Sequence, residues 1–64
     1  MAISLRAARV DVGLTQSEAA KKLKISKGTL INYEKYRTVP DIEKSKEIAA
    51  LYERDVNEII FFRK

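Results

Sequence analysis

The stretch TQSEAAKKLKISKGTLINYE, Thr15 to Glu34, decides how this chain is read. It opens with Thr15-Gln16-Ser17-Glu18, the pattern of a capping box. The Thr15 hydroxyl accepts from the Glu18 amide, and the Glu18 carboxylate reaches back to the Thr15 amide. The box starts a helix from Gln16 to Lys22 or Leu23, with Ala19, Ala20 and Leu23 on one face. Lys24-Ile25 breaks the helix, and Ser26 caps the next one. In that second helix Leu30, Tyr33 and Glu34 share a side at spacings of three and four. Gly28 and Asn32 lie opposite, flanked by Lys27 and Ile31. Two short helices joined by so brief a turn form a helix-turn-helix candidate. Ala19, Ala20 and Leu23 are expected to meet Ile25, Leu30 and Tyr33, and the small Ala20 suits a close helix crossing. Gly28 is the odd residue, since glycine inside a helix costs roughly 0.5–1 kcal/mol relative to alanine. Its position calls for a reason to keep the backbone bare.

Working outward, Leu5, Ala8 and Val12 make one apolar stripe on a helix from about Ser4 to Val12. Gly13 ends it in the left-handed conformation. After the central stretch, Lys35 to Pro40 reads as a loop. Asp41 caps a fourth helix carrying Ile42, Ile48, Ala49 and Leu51. Asp55-Val56-Asn57-Glu58 is a second capping box and predicts a fifth helix from Val56 to about Phe61, burying Val56, Ile59 and Ile60. With two glycines, one proline and no strand-like alternation, the expectation is an all-α, compact five-helix fold in one domain spanning residues 1–64.

Composition narrows the chemistry. The 64 residues include no cysteine and no histidine, which excludes thiolate or imidazole metal sites and Cys- or His-based catalysis. There is no glycine-rich phosphate loop, and no pairing of carboxylates is visible in the sequence. No enzyme activity, metal, cofactor or small-molecule ligand is expected. No apolar run approaches the ~18 residues of a membrane span. The opening MAISLRAARV does not read as a signal peptide, so a cytoplasmic protein is expected. The net charge of +4 is unevenly spread. Residues 15–38 carry six basic side chains against two acidic ones, and residues 39–62 three against six. A polyanion-facing side and an acidic far side follow, with an ordinary solvated surface as the alternative.

The segment GLTQSEAAKKLKISKGTLINYE, Gly13 to Glu34, resembles the helix-turn-helix of the phage-repressor and Cro-type regulators, the xenobiotic-response-element family. The resemblance continues through Pro40-Asp41-Ile42 and IAALYERDVNEII, Ile48 to Ile60. Its most specific parts are Gly13-Leu14-Thr15-Gln16, the Ala20 to Leu23 spacing, Ser26, and Tyr33-Glu34. It departs from the family at the turn, where Lys24 replaces the usual glycine, and after the third helix, where Lys35-Tyr36 replaces a glycine-containing pair. The resemblance implies a lambda-repressor-like fold whose third helix enters the DNA major groove while the second packs behind it and meets a phosphate.

Carried over by position, the resemblance implies base contacts from Lys27, Gly28 and Asn32 and a phosphate contact from Gln16. Arg9 and Glu34 match a pair that closes beneath the recognition helix. Arg37, ahead of its neighbour Thr38, falls where the following loop meets phosphate; Lys24, Lys35 and the caps Thr15 and Ser26 are further phosphate candidates. The chemistry agrees: the Gln16 amide can donate to a phosphate oxygen at a helix N-terminus. Lys27 suits guanine O6 or N7, Asn32 suits adenine N6 and N7, and Ile31 suits a thymine methyl. The expected partner is double-stranded DNA with a pseudo-palindromic operator, bound by a homodimer with half-sites about 34–36 Å apart. Ile60, Phe61 and Phe62 are assigned to the dimer contact, with closure of the small core as the alternative. A Cro-like repressor of phage or mobile-element origin, acting at the nucleoid, is the leading expectation. A protein-interaction module of the same fold, antitoxin- or adaptor-like, is the second.

Overall fold

Each helix starts where a side chain can satisfy its first amides. The computed structural model describes residues 2–63. The elements are β1 (Ile3–Ser4), α1 (Leu5–Asp11), α2 (Gln16–Leu23), α3 (Lys27–Glu34), α4 (Ile42–Leu51) and β2 (Ile59–Ile60), with a 3₁₀ turn at Val56–Glu58 before β2. Ser4 Oγ accepts from the Ala7 amide at 3.0 Å, Ser26 Oγ from Thr29 at 3.0 Å and Asp41 Oδ1 from Lys44 at 2.7 Å. The Thr15–Glu18 box closes in both directions, at 3.1 and 2.9 Å. The Thr15 backbone N–H, and then its hydroxyl, hold the Glu18 carboxyl below its usual range. A depressed folded-state value means that this contribution is present above the unfolded pKa and is lost as pH falls through the folded one.

All four helices end the same way. The chain turns through a left-handed residue at Gly13, Lys24, Tyr36 and Glu53, with φ of 75°, 59°, 60° and 57°. Beyond each, an amide bonds back to the last turn: Leu14 to Arg9, Ile25 to Ala20, Arg37 to Asn32 and Arg54 to Ala49. Only Gly13 is the residue type this conformation favours. The other three carry a side-chain penalty of roughly 1 kcal/mol each. The departures at Lys24 and Tyr36 therefore keep the expected turn geometry at an energetic cost.

The predicted fifth helix does not form. Val56–Glu58 makes one 3₁₀ turn, and Ile59–Ile60 then pairs in parallel with Ile3–Ser4, in the register Ile3 with Ile59 and Ser4 with Ile60. The Asp55 box is present, but its geometry needs only a single turn. The run Ile59-Ile60-Phe61-Phe62 is β-branched and aromatic, and with a partner strand available it extends instead. Among the described residues the fold is thus mostly helical, with four α-helices and a short strand pair, and not the five-helix, all-α arrangement read from the sequence. Ile59 is buried as expected, whereas Val56 is exposed.

The core is Leu5, Ala8, Ala19, Ala20, Leu23, Leu30, Ile48, Ala49, Tyr52 and Ile59. Tyr52, to which the pattern assigns no role, is its largest fully buried side chain. Its hydroxyl has no hydrogen-bond partner in the protein. Burial above all, with the nearby Glu34 charge adding to it and Arg9 opposing, pushes this phenol up to about 12. A raised folded-state value supports the fold fully below the unfolded pKa near 10, and this support is lost as pH rises towards 12. Tyr52→Phe removes the orphaned hydroxyl and is expected to raise stability by about 1 kcal/mol. It should also flatten the fall in stability between about pH 10 and pH 12, as read by urea unfolding across an alkaline series.

Candidate nucleic-acid interface

One buried ionic cluster fixes how α3 sits. Arg9 Nε donates to Glu34 Oε2 at 2.7 Å, with side chains 9% and 5% exposed. A second guanidinium nitrogen reaches Glu34 Oε1 at 3.4 Å, and a third donates to the Leu14 carbonyl at 2.8 Å. Gln16 Nε2 completes the carboxylate's shell, donating to Oε1 at 3.0 Å. α1, the start of α2 and the end of α3 thus meet on one carboxylate. The Gln16 amide keeps a second N–H beyond the one given to Glu34. Its anchoring leaves that donor pre-set at the α2 N-terminus.

Leu30 is the one fully buried residue of α3. With Leu30 and Glu34 held inward, the opposite face is set by helical spacing. Gly28, Ile31, Asn32 and Lys35 fall at i, i+3, i+4 and i+7, a continuous outward stripe. Lys27 and Gly28 are exposed at its N-terminal end, and Ile31 and Asn32 are half-buried in the middle. The Ser26 hydroxyl is committed to capping and to the Thr29 hydroxyl at 2.8 Å.

Beside the first turn of α3 lies an open concavity of about 370 Å³ lined by Arg6, Arg9, Thr15, Gln16, Ser17 and Lys27. The α2 N-terminus supplies unpaired amides and the positive end of the helix dipole, so the concavity suits an anion. Arg6 and Ser17 were not among the sequence-derived candidates. A signal for Arg6 was available: it precedes Arg9 by three residues, so a helix places both along one flank. Arg37 and Thr38 are exposed just past the left-handed Tyr36, and Lys24 is exposed at the turn. Ile60 and Phe61 are half-buried, while Phe62 points outward. These three lie apart from the concavity, tied to the end of α3 by the Tyr36 hydroxyl, which donates to the Ile60 carbonyl at 3.1 Å. Lys44 donates through Nζ to the Leu23 carbonyl at 3.0 Å and fastens the end of α2 to α4.

Gly28 has no crowding to explain it. A Cβ built there meets only Ser26 Oγ, at 3.9 Å. Gly28→Ala is therefore expected to stabilise the fold by about 0.5–1 kcal/mol in thermal unfolding. Weaker or altered DNA binding alongside that gain assigns the bare backbone to the DNA side, and unchanged binding makes the glycine incidental.

A family model described as helix-turn-helix matches residues 5–59. The chain belongs to the helix-turn-helix family. The match bears out the resemblance to its phage-repressor and Cro-type members and makes the protein a DNA-binding helix-turn-helix regulator. No curated protein and no solved structure matched the chain. The matched span of this helix-turn-helix protein contains Arg6, Gln16 and all of α3, and stops before Ile60. Among the described residues, no helix is long and apolar enough to cross a membrane.

Proposed function

We propose that this helix-turn-helix protein is a sequence-specific transcriptional regulator that reads the major groove with α3. It is a Cro-like repressor of phage or mobile-element origin, acting on a pseudo-palindromic operator as a homodimer at the nucleoid. The observation that carries the reading is the outward stripe of α3, flanked by the basic concavity at the start of α2. A stripe mixing an amide and an aliphatic side chain, with the Lys27 cation at its N-terminal end, matches the mixed chemistry of base edges. The concavity matches a phosphate oxygen. Asn32 is the principal base reader, supported by Lys27, Gly28 and Ile31. Gln16, Arg6, Thr15, Ser26, Lys24, Lys35 and Arg37 hold the backbone.

These roles separate in titrations of selected and scrambled duplexes across a salt series. Asn32→Ala is expected to lose about 1–3 kcal/mol of discrimination at one base pair, with scrambled DNA bound nearly as before. Arg6→Ala should weaken both duplexes alike and reduce the slope of log K against log salt by about 1. An equal loss on every sequence for Asn32→Ala, or an unchanged slope for Arg6→Ala, contradicts the assigned role.

A further inference from the structure

Tyr36 sits on a backbone that its residue type does not favour. Its φ of 60° lies in the left-handed region where glycine is at ease. The helix end itself asks for no side chain there, because backbone groups close it. The Tyr36 amide donates to the Tyr33 carbonyl at 3.1 Å, and the Arg37 amide to the Asn32 carbonyl at 2.9 Å. The Tyr36 side chain, by contrast, is held at two points. Its hydroxyl donates to the Ile60 carbonyl at 3.1 Å. The Arg63 guanidinium stands over the ring, 4.8 Å from its centroid. Ile60 pairs in turn with Ser4, whose hydroxyl caps α1. Of residues 35–39, Tyr36 alone is not exposed, and Arg37 follows it directly into solvent.

We propose that Tyr36 is a positioning residue for DNA binding: its phenol ties the loop after α3 to the strand pair and so sets Arg37 against the phosphate backbone. This role rests on reading Arg37 as a phosphate contact, and it names what aims that contact. A loop arginine loses backbone and rotamer freedom when it binds, and a tethered neighbour removes part of the backbone share beforehand. The Arg37 amide fixes the loop to α3 at Asn32, and the phenol adds a second hold across the fold. The strand that pairs with Ile60 runs straight into α1, which carries Arg6. The loop after α3 and the basic concavity beside its first turn therefore share one frame, and their phosphate groups keep a set spacing. Such contacts fix the register of a protein on the duplex. Ile60 and Arg63 lie beyond the matched residues 5–59, so the tether belongs to this chain's own ending. A glycine at position 36 would relieve the backbone and lose the tether.

The test is a double-mutant cycle, read by anisotropy titration of the selected and the scrambled duplex across a salt series, with thermal unfolding of each variant. Arg37→Ala is expected to reduce the slope of log K against log salt by about 1. Tyr36→Phe keeps the ring and removes the donor. It should weaken both duplexes alike, by about threefold, and add nothing in the Arg37→Ala background. Tyr36→Gly suits the left-handed backbone, so it should stay folded and yet bind no more tightly than Tyr36→Phe. A merely structural role gives a different pattern, in which the Tyr36→Phe loss follows its fall in thermal stability and persists without Arg37. Unchanged binding by Tyr36→Phe or Tyr36→Gly overturns the proposal. So do losses that add in the double variant, or an unchanged slope for Arg37→Ala. None of these outcomes touches base reading by Asn32. Equal affinity of the unmodified chain for both duplexes counts against base reading instead, and the cycle on either duplex then still decides the role of Tyr36.

Discussion

Replacing Glu34 by alanine is expected to cost about 3–5 kcal/mol of folding stability, the usual result of stranding a buried charge. A domain of 64 residues has a total of roughly 3–10 kcal/mol, so the loss removes a large share of it. The size of the effect comes from burial and valence together. Glu34 accepts from Arg9 twice and from Gln16 once, and its removal leaves the Arg9 guanidinium with only the Leu14 carbonyl. An exposed pair would be worth about 0–1 kcal/mol. Removing both charges tells the two cases apart. The double variant Arg9→Met/Glu34→Leu should be much more stable than Glu34→Ala, because no uncompensated charge remains. Urea unfolding at neutral pH reads both. A loss below about 1 kcal/mol in the single variant would show that the cluster does not hold α3 in place.

The second large effect is at Leu30. It is the one fully buried residue of α3, so this helix is held inward by this side chain at one end and by Glu34 at the other. Leu30→Ala removes the transfer energy of the side chain and leaves a cavity, about 2–5 kcal/mol together. Leu30→Met preserves volume and should cost under about 1.5 kcal/mol. If the helix is anchored as described, the alanine variant also loses specific DNA affinity in proportion to its loss of stability, and the methionine variant keeps both. Calorimetric unfolding and anisotropy titration on the same samples measure the pair of effects.

The central part of the molecule was legible because its signals are local. Thr15, Ser26 and Asp41 cap the helices they were expected to cap, and α2 and α3 end within a residue of their predicted limits. The split of α3 into an inward and an outward face follows from spacing alone. What the sequence hid depends on distant partners. Ile59–Ile60 becomes a strand only because Ile3–Ser4, more than fifty residues earlier, offers an edge. The β-branched and aromatic run leans that way, but the partner strand that decides it is not local. The Lys44 ammonium on the Leu23 carbonyl and the Tyr36 hydroxyl on Ile60 join segments more than twenty residues apart. For Arg6 the spacing to Arg9 placed it on a shared flank, but only the fold sets the start of α2 beside it.

The site itself carried a partial signal. Residue types at Lys27, Asn32 and Gln16 suggest what they can bind, but the hydrogen bond that pins the Gln16 amide to Glu34 has no counterpart in sequence pattern. That bond ties the start of α2 to the buried cluster, so the stability of α3 and the placement of the Gln16 amide rest on the same carboxylate. The Gly28 position gains a narrower meaning as well. The protein leaves room for a side chain there, so any need for bare backbone comes from what α3 approaches.

The claim that α3 reads bases is tested most directly by selecting binding sites from random double-stranded DNA with the unmodified chain, then measuring the enriched duplex against a scrambled one at physiological salt. The expected result is a two-fold-related motif with half-sites one helical turn apart, bound about 10³-fold or more tightly than scrambled DNA. Enrichment of no sequence, with equal and steeply salt-dependent affinity for both duplexes, would contradict base reading and leave a helix-turn-helix fold put to protein interaction.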